Sequence, residues 1–295
     1  MFPVLYRLCN DCWLIKRNEM TTVSSNRQHH SNRQHHIDKK FDSDLLNTDF
    51  SNSLFLRLVA KGKRFDNVDF KYTIFDTCYL RNCVFDSCNF TGCRFVGVNF
   101  YGASFSGCKF DYAIFERTII DSNILAVGCP GWDNLKLKFA RTLRMNFQQL
   151  GDSKSANKAI KVELDATEAY LYKAWHSNES YYRKKYTRLK RIGKFFEWLN
   201  FEVLDFIWGN GESTFKLVRS VVLFLLFMSF IHVFLCCDPT KVASYWNSFL
   251  SMPSVFLGAS KPVGYSESYL AFIFFIRLVA FGFFMSIIIK RFNRR

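Results

Sequence analysis

Residues 65–125 read FDNVDFKYTIFDTCYLRNCVFDSCNFTGCRFVGVNFYGASFSGCKFDYAIFERTIIDSNIL, with a bulky apolar residue at every fifth position. Phe65, Phe70, Phe75, Leu80, Phe85, Phe90, Phe95, Phe100, Phe105, Phe110, Phe115, Ile120 and Leu125 follow one another without a slip. Two positions before most of them stands a small residue: Val68, Thr73, Cys78, Cys83, Cys88, Cys93, Val98, Ala103, Cys108, Ala113 and Thr118. A helix repeats its faces about every 3.6 residues and a strand every two, so a period of five fits neither. The chain must turn a corner every five residues. Upstream, Phe50 with Thr48 and Phe55 with Ser53 hold the same register. Lys63 takes a small-residue slot beside Gly62, which predicts a bulge or loop there.

On these residues, segment 45–127 resembles the pentapeptide-repeat family, whose chain winds as a right-handed quadrilateral β-helix with the central Phe or Leu and the small residue pointing inward. The resemblance implies four sides per coil. Phe65, Phe85 and Phe105 then stack in one column, Phe70, Phe90 and Phe110 in the next, Phe75, Phe95 and Phe115 in a third, and Leu80, Phe100 and Ile120 in the fourth. Coil spacing should equal the inter-strand distance, about 4.8 Å. The five periodic cysteines fall in the inward small slot, where a thiol is a compact hydrophobe rather than a metal or redox group. Gyrase-directed members of that family mimic DNA, which demands an acidic outer surface. Here Asp66, Asp69, Asp76, Asp86, Asp111, Glu116 and Asp121 are countered by Lys71, Arg81, Arg94, Lys109 and Arg117.

The whole chain has 295 residues, 49% of them hydrophobic, which excludes a wholly disordered polypeptide. Its formal charge of +15 invites anionic partners, so the placement of the basic residues has to choose between lipid and nucleic acid. Residues 1–44 read as an N-terminal arm. Arg7 breaks the apolar stretch Phe2 to Tyr6 before a signal peptide can form. Ser25 to His36 is a duplication of SNRQHH that reads as a flexible linker, with His29, His30, His35 and His36 in a polar stretch. Cys9 and Cys12 form a lone CxxC lacking a second ligand pair nearby, so neither a metal nor a cofactor is expected.

Residues 132–194 read as a helical hairpin followed by a basic segment. Leu135, Phe139, Leu143 and Phe147 follow helical spacing up to Gly151, and a second helix starts near Ser153. Arg183, Lys184, Lys185, Arg188, Lys190, Arg191 and Lys194 then place seven positive charges in 12 residues. The aromatic-rich stretch 195–210 follows directly and reads as an interfacial amphipathic helix. The basic residues are therefore expected to face anionic lipid, with no nucleic-acid partner.

Residues 217–237 and 269–289 each supply 21 largely apolar residues, enough to cross a hydrocarbon core of about 30 Å. Basic residues crowd before the first span and in the tail 290–295, which predicts an integral membrane protein with both termini cytoplasmic. Between the spans, 245–262 has the outline of a re-entrant pore-like loop. Together with the NFQQLGD turn (146–152) and the WGNGES segment (208–213), this pattern resembles bacterial pentapeptide-repeat proteins with a two-transmembrane, potassium-channel-like domain, which implies a bacterial inner membrane and a homo-tetramer.

The usual filter of that family, TxGYGD, aligns with Ser254, Val255, Phe256, Leu257, Gly258, Ala259, Ser260 and Lys261. One glycine survives, Ser260 replaces the second, and Lys261 replaces the acid, so strict potassium selectivity is not expected. A nonselective or anion-tolerant pore and a degenerate, non-conducting loop both stay open. Arg277 falls mid-span and needs a partner or water, either lining a pore or subunit interface or snorkelling outward. His232 reads as a helix–helix hydrogen bonder, and Cys236 and Cys237 as interface filler or cross-link sites.

No phosphate-binding glycine loop, dinucleotide fingerprint or HExxH occurs, so catalysis is not expected. The two functional expectations are an ion-channel-like oligomer whose cytosolic repeat domain binds an unknown protein partner, and a membrane-anchored interaction scaffold with a vestigial loop.

Overall fold

A computed structural model describes residues 33–236, 240–260 and 266–293. Cys9, Cys12, His29, His30, Cys237 and Lys261 lie outside the described residues. The chain divides after Pro130 into two units.

The first unit is a parallel β-solenoid. Its strands are β1 (Gln34–Ile37), β2 (Leu45–Leu46), β3 (Ser53–Leu56), β4 (Arg64–Asp66), β5 (Ile74–Asp76), β6 (Val84–Asp86), β7 (Arg94–Val96), β8 (Ser104–Ser106) and β9 (Ile114–Glu116). Odd strands form one sheet, β1-β3-β5-β7-β9, and even strands another, β2-β4-β6-β8. Two further sides are joined by single parallel bridges, Asp49 to Asp69 to Asn89 to Lys109 and Val59 to Tyr79 to Asn99 to Ile119. The coil therefore has four sides, and from β2 onward residues pair at a separation of twenty, as in Phe65 with Phe85 and Phe75 with Phe95.

The columns stack as the period requires. Ring centroids are 4.8 Å apart for Phe65 and Phe85, 5.2 Å for Phe70 and Phe90, and 5.2 Å for Phe75 and Phe95, all face to face. Neighbours around one coil meet edge-on, as Phe85 and Phe90 do at 5.6 Å. Leu80, Phe100 and Ile120 fill the fourth column and are buried.

The small slot does more than leave room. Cys78, Cys83, Cys88 and Cys93 donate their thiols to the carbonyls of Phe55, Ala60, Phe65 and Phe70 in the coil before, at 3.4, 3.2, 3.4 and 2.8 Å. Thr73 and Thr118 hydroxyls do the same to Phe50 and Phe95. Burial pushes the Cys78 thiol up to about 11 and raises Cys83 and Cys93 as well, so these groups stay protonated donors.

Corners are made by one left-handed residue in five. From Asn47 to Arg117 every fifth residue has φ between +47° and +71°. Glycine and asparagine hold most of these positions, but Thr77 is β-branched at φ +54°, a conformation such side chains resist. Thr77→Asn is expected to raise the stability of the solenoid by about 1 kcal/mol, read as a higher urea midpoint.

Three expectations are corrected. His35 and His36 belong to β1, not to a linker: His36 pairs with Phe55 at a separation of nineteen and stacks on its ring at 4.7 Å. Phe41 is buried in the same phase, so the first coil is one residue short between Phe41 and Leu45. No bulge occurs at Lys63, because β4 pairs without interruption and the Lys63 ammonium reaches out to donate to the Asp42 carbonyl at 2.7 Å. Leu125 leaves the five-residue register. It lies in a short helix, α1 (Ile124–Val127), which buries Ile124 and Leu125 and brings Gly128 against Phe110, closing the end of the column.

The second unit is helical: α2 (Asp133–Gln149), α3 (Ser153–His176), α4 (Ser180–Lys185), α5 (Arg188–Trp208), α6 (Thr214–Cys236), α7 (Val242–Leu257) and α8 (Glu267–Asn293). α2 and α3 form a hairpin that buries Leu135, Phe139, Leu143 and Phe147 together with Ala156, Ala159 and Ile160. Gly151 turns the chain at φ +73°, and the Asp152 carboxylate caps α3 by accepting from the Ser155 amide at 3.0 Å. Glu163, largely buried, ties the pair by accepting from both Arg141 and Arg144. The boundary expected at 195 falls inside α5, since basic and apolar residues interleave at helical spacing from Arg188 onward.

Candidate functional site

α6 and α8 are long and apolar enough to cross a membrane, and only 28% and 11% of their apolar windows is buried. Core helices of a soluble domain would be covered. Val222, Phe227, Phe230 and Phe234 on α6 and Phe275, Leu278 and Phe281 on α8 are exposed instead.

α7 packs one face against both. Met252, Val255 and Phe256 of α7 pack with Leu225 and Met228 of α6 and Ile273 of α8. Polar contacts fix the depth of the helix. Buried Ser248 donates to the Ser229 carbonyl at 3.4 Å and shares a hydrogen bond with His232 Nδ1 at 3.2 Å, while the Tyr269 hydroxyl donates to the Met228 carbonyl at 2.6 Å. His232 thus joins two helices.

The filter-like residues are not extended. Ser254, Val255, Phe256 and Leu257 form the last turn of α7, where Val255 and Phe256 are anchors of the packing. Gly258 ends the helix at φ +75°, and the Gly258, Ala259 and Ser260 amides fold back on Val255 and Ser254 carbonyls. Arg277 meets this end: Nη1 donates to the Phe256 carbonyl at 3.5 Å, and the guanidinium lies 4.8 Å over the Phe274 ring. A cation at the negative end of a helix dipole is favourably placed. Arg277 therefore caps the end of α7.

The start of α6 and the end of α8 are tied together at one level. Lys290 near the end of α8 pairs with Glu212 just before α6 at 3.1 Å, and Lys216 pairs with Asp205 at 2.5 Å. Gly209, Asn210 and Gly211, all left-handed, reverse the chain between α5 and α6.

The seven basic residues divide. Arg183 donates to the Ala174 carbonyl, and Arg191 to the Trp175 and His176 carbonyls, so both cap the last turn of α3. Lys185 donates to the Tyr170 and Tyr181 hydroxyls, which hold its ammonium above the usual lysine range, and Lys194 pairs with Glu197. Lys184, Arg188 and Lys190 face outward, and Lys185 is exposed as well. The apolar row of the expected interfacial helix starts earlier: Leu189 and Ile192 precede Phe196, Leu199, Val203 and Phe206, all exposed along α5 and spaced alternately by three and four. That spacing is visible in the sequence and begins six residues before the expected interfacial helix.

Two family models, described as pentapeptide repeats of nine and eight copies, match residues 85–123 and 64–100. These residues are pentapeptide repeats. No curated protein matches the chain. Among solved structures, a pentapeptide repeat protein of the Arabidopsis thaliana thylakoid lumen is 20% identical over 32% of this chain and 77% of its own, with a TM-score of 0.16. QnrB1, a plasmid-mediated fluoroquinolone resistance protein, is 23% identical over 30% of this chain and 54% of its own, with a TM-score of 0.14. The match spans about half the length of QnrB1.

Proposed function

We propose that this pentapeptide-repeat chain is a membrane-embedded, channel-like protein whose α6, α7 and α8 assemble as a homo-tetramer around a pore that is not strictly potassium-selective. Its solenoid stands in the cytosol as a docking column for a protein partner. One feature supports the reading: α7, at 16 residues too short to cross a bilayer, packs Met252, Val255 and Phe256 against α6 and α8 and ends at Gly258. Backbone that ends at membrane depth persists only where protein or a water-filled cavity satisfies it. The row from Leu189 to Phe206, with Lys184, Arg188 and Lys190 beside it, fits a helix lying in the interface ahead of the first span.

Arg277 at the end of α7, and the helical form of residues 254–257, favour a second reading: an anchored scaffold whose loop conducts nothing. Flux from liposomes holding the purified chain separates the two. Release of ions without strict selectivity for potassium is expected. Silence toward potassium, sodium and chloride alike, from protein shown to be tetrameric, would transfer the assignment to the scaffold.

A further inference from the structure

Arg277 follows Glu267 by ten residues, about 15 Å along a helix, and so reaches the middle of a hydrocarbon core about 30 Å thick. Its guanidinium carries five N–H donors and is always charged. α6 and α7 contain no carboxylate, and Glu267 is the sole acid of α8. The chain therefore brings a permanent cation to the membrane centre without supplying its counter-charge from these helices. Beside it runs an open groove of about 600 Å³, lined by Leu217, Val221, Phe256 and Phe284 and edged by the exposed Leu278 and Phe281, in which Arg277 is the one charged group. That volume lies within the range of small-molecule sites, about 300–1,000 Å³.

We infer that Arg277 and this groove form an anion site, taking a monoanionic group on the guanidinium with a weakly hydrated or apolar body against the walls. The inference deepens the reading of this unit as membrane-embedded and rests on it. A potassium or sodium ion reaching the end of α7 meets a guanidinium where bare carbonyl dipoles would have welcomed it. A monoanion finds the opposite: donors in a fixed fork, and apolar walls that penalise strongly hydrated ions. The anion has two sources with one chemistry, a permeant inorganic anion or the carboxylate of an acyl chain from the bilayer.

The full chain in phosphatidylcholine nanodiscs, which hold no anionic lipid, is titrated with chloride, followed by NMR line broadening, and with spin-labelled stearate, followed by its immobilised fraction. One of the two probes is expected to bind, about tenfold more weakly to Arg277→Gln and with little change to Arg277→Lys. Binding of chloride assigns a permeant anion, and binding of stearate assigns an acyl carboxylate. Gly258→Asp serves as a second variant, read against Gly258→Asn, which shares its backbone strain at φ +75° but not its charge: only the carboxylate should empty the site from within. Binding of both probes that is indifferent to Arg277→Gln and Gly258→Asp, or no binding of either, overturns the inference. Liposome flux fails independently: silence with Arg277-dependent binding removes the pore and keeps the site, while potassium flux with no anion binding removes the site and keeps the pore.

Discussion

A chain carrying Phe90→Asp loses protease protection across the repeats and the β signal of its circular dichroism. The Phe90 ring is buried, stacked between Phe70 at 5.2 Å and Phe110 at 5.0 Å, with the edges of Phe85 and Phe95 beside it. Truncating such a ring costs about 3–5 kcal/mol, and Phe90→Ala isolates that packing term. Aspartate adds an unpaired carboxylate in an interior whose backbone groups are already engaged. A solenoid coil touches only its neighbours, so one broken coil uncouples those on either side. Undiminished resistance of residues 45–127 to limited proteolysis would refute the register.

The second large effect is expected from Gly258→Val. A Cβ at this position would stand 2.5 Å from Arg277 Nη1, and the backbone is left-handed at φ +75°. Valine is a poor fit to that conformation, and the combined strain is expected to destabilise the packing of α7 by about 2–3 kcal/mol. Arg277 would have to give up the Phe256 carbonyl, leaving both the charge and the helix end unsatisfied. The measurement is the thermal midpoint of the detergent-solubilised protein, compared with Gly282→Val, where the added side chain meets open space. Equal midpoints for the two variants would show that Arg277 does not hold α7 in place.

The inward columns were legible because one large side chain per five residues is a strong, local signal. The corner residue was equally regular, and Gly62, Gly92, Gly97, Gly102 and Gly107 with Asn47, Asn52, Asn67 and Asn82 marked it, but side chains such as Tyr72 and Arg117 at the same position hide the pattern. The first coil escaped because its phase shifts by one residue and a histidine replaces phenylalanine on the stack. Ala60 and Leu58 exchange the large and small roles, both fully buried, which preserves volume while breaking the pattern. In the second unit, the two long apolar helices followed from length and hydropathy. The end of α7 did not, since a helical terminus capped by an arginine twenty-one residues later is a tertiary contact that no local spacing announces. Likewise the charge run 183–194 shows seven cations, but not that Arg183 and Arg191 are spent on α3.

The four-sided coil also sets an arithmetic for length. Each side uses five residues and each coil twenty, so inserting twenty residues lifts everything beyond it by one strand spacing, about 4.8 Å, and leaves each residue on its own side of the coil. Inserting five instead swings the exit of the chain through a quarter turn and moves every outward residue to the adjacent face. Repeat number in this protein is thus a clock as well as a ruler: it fixes the direction in which whatever follows Ile120 departs.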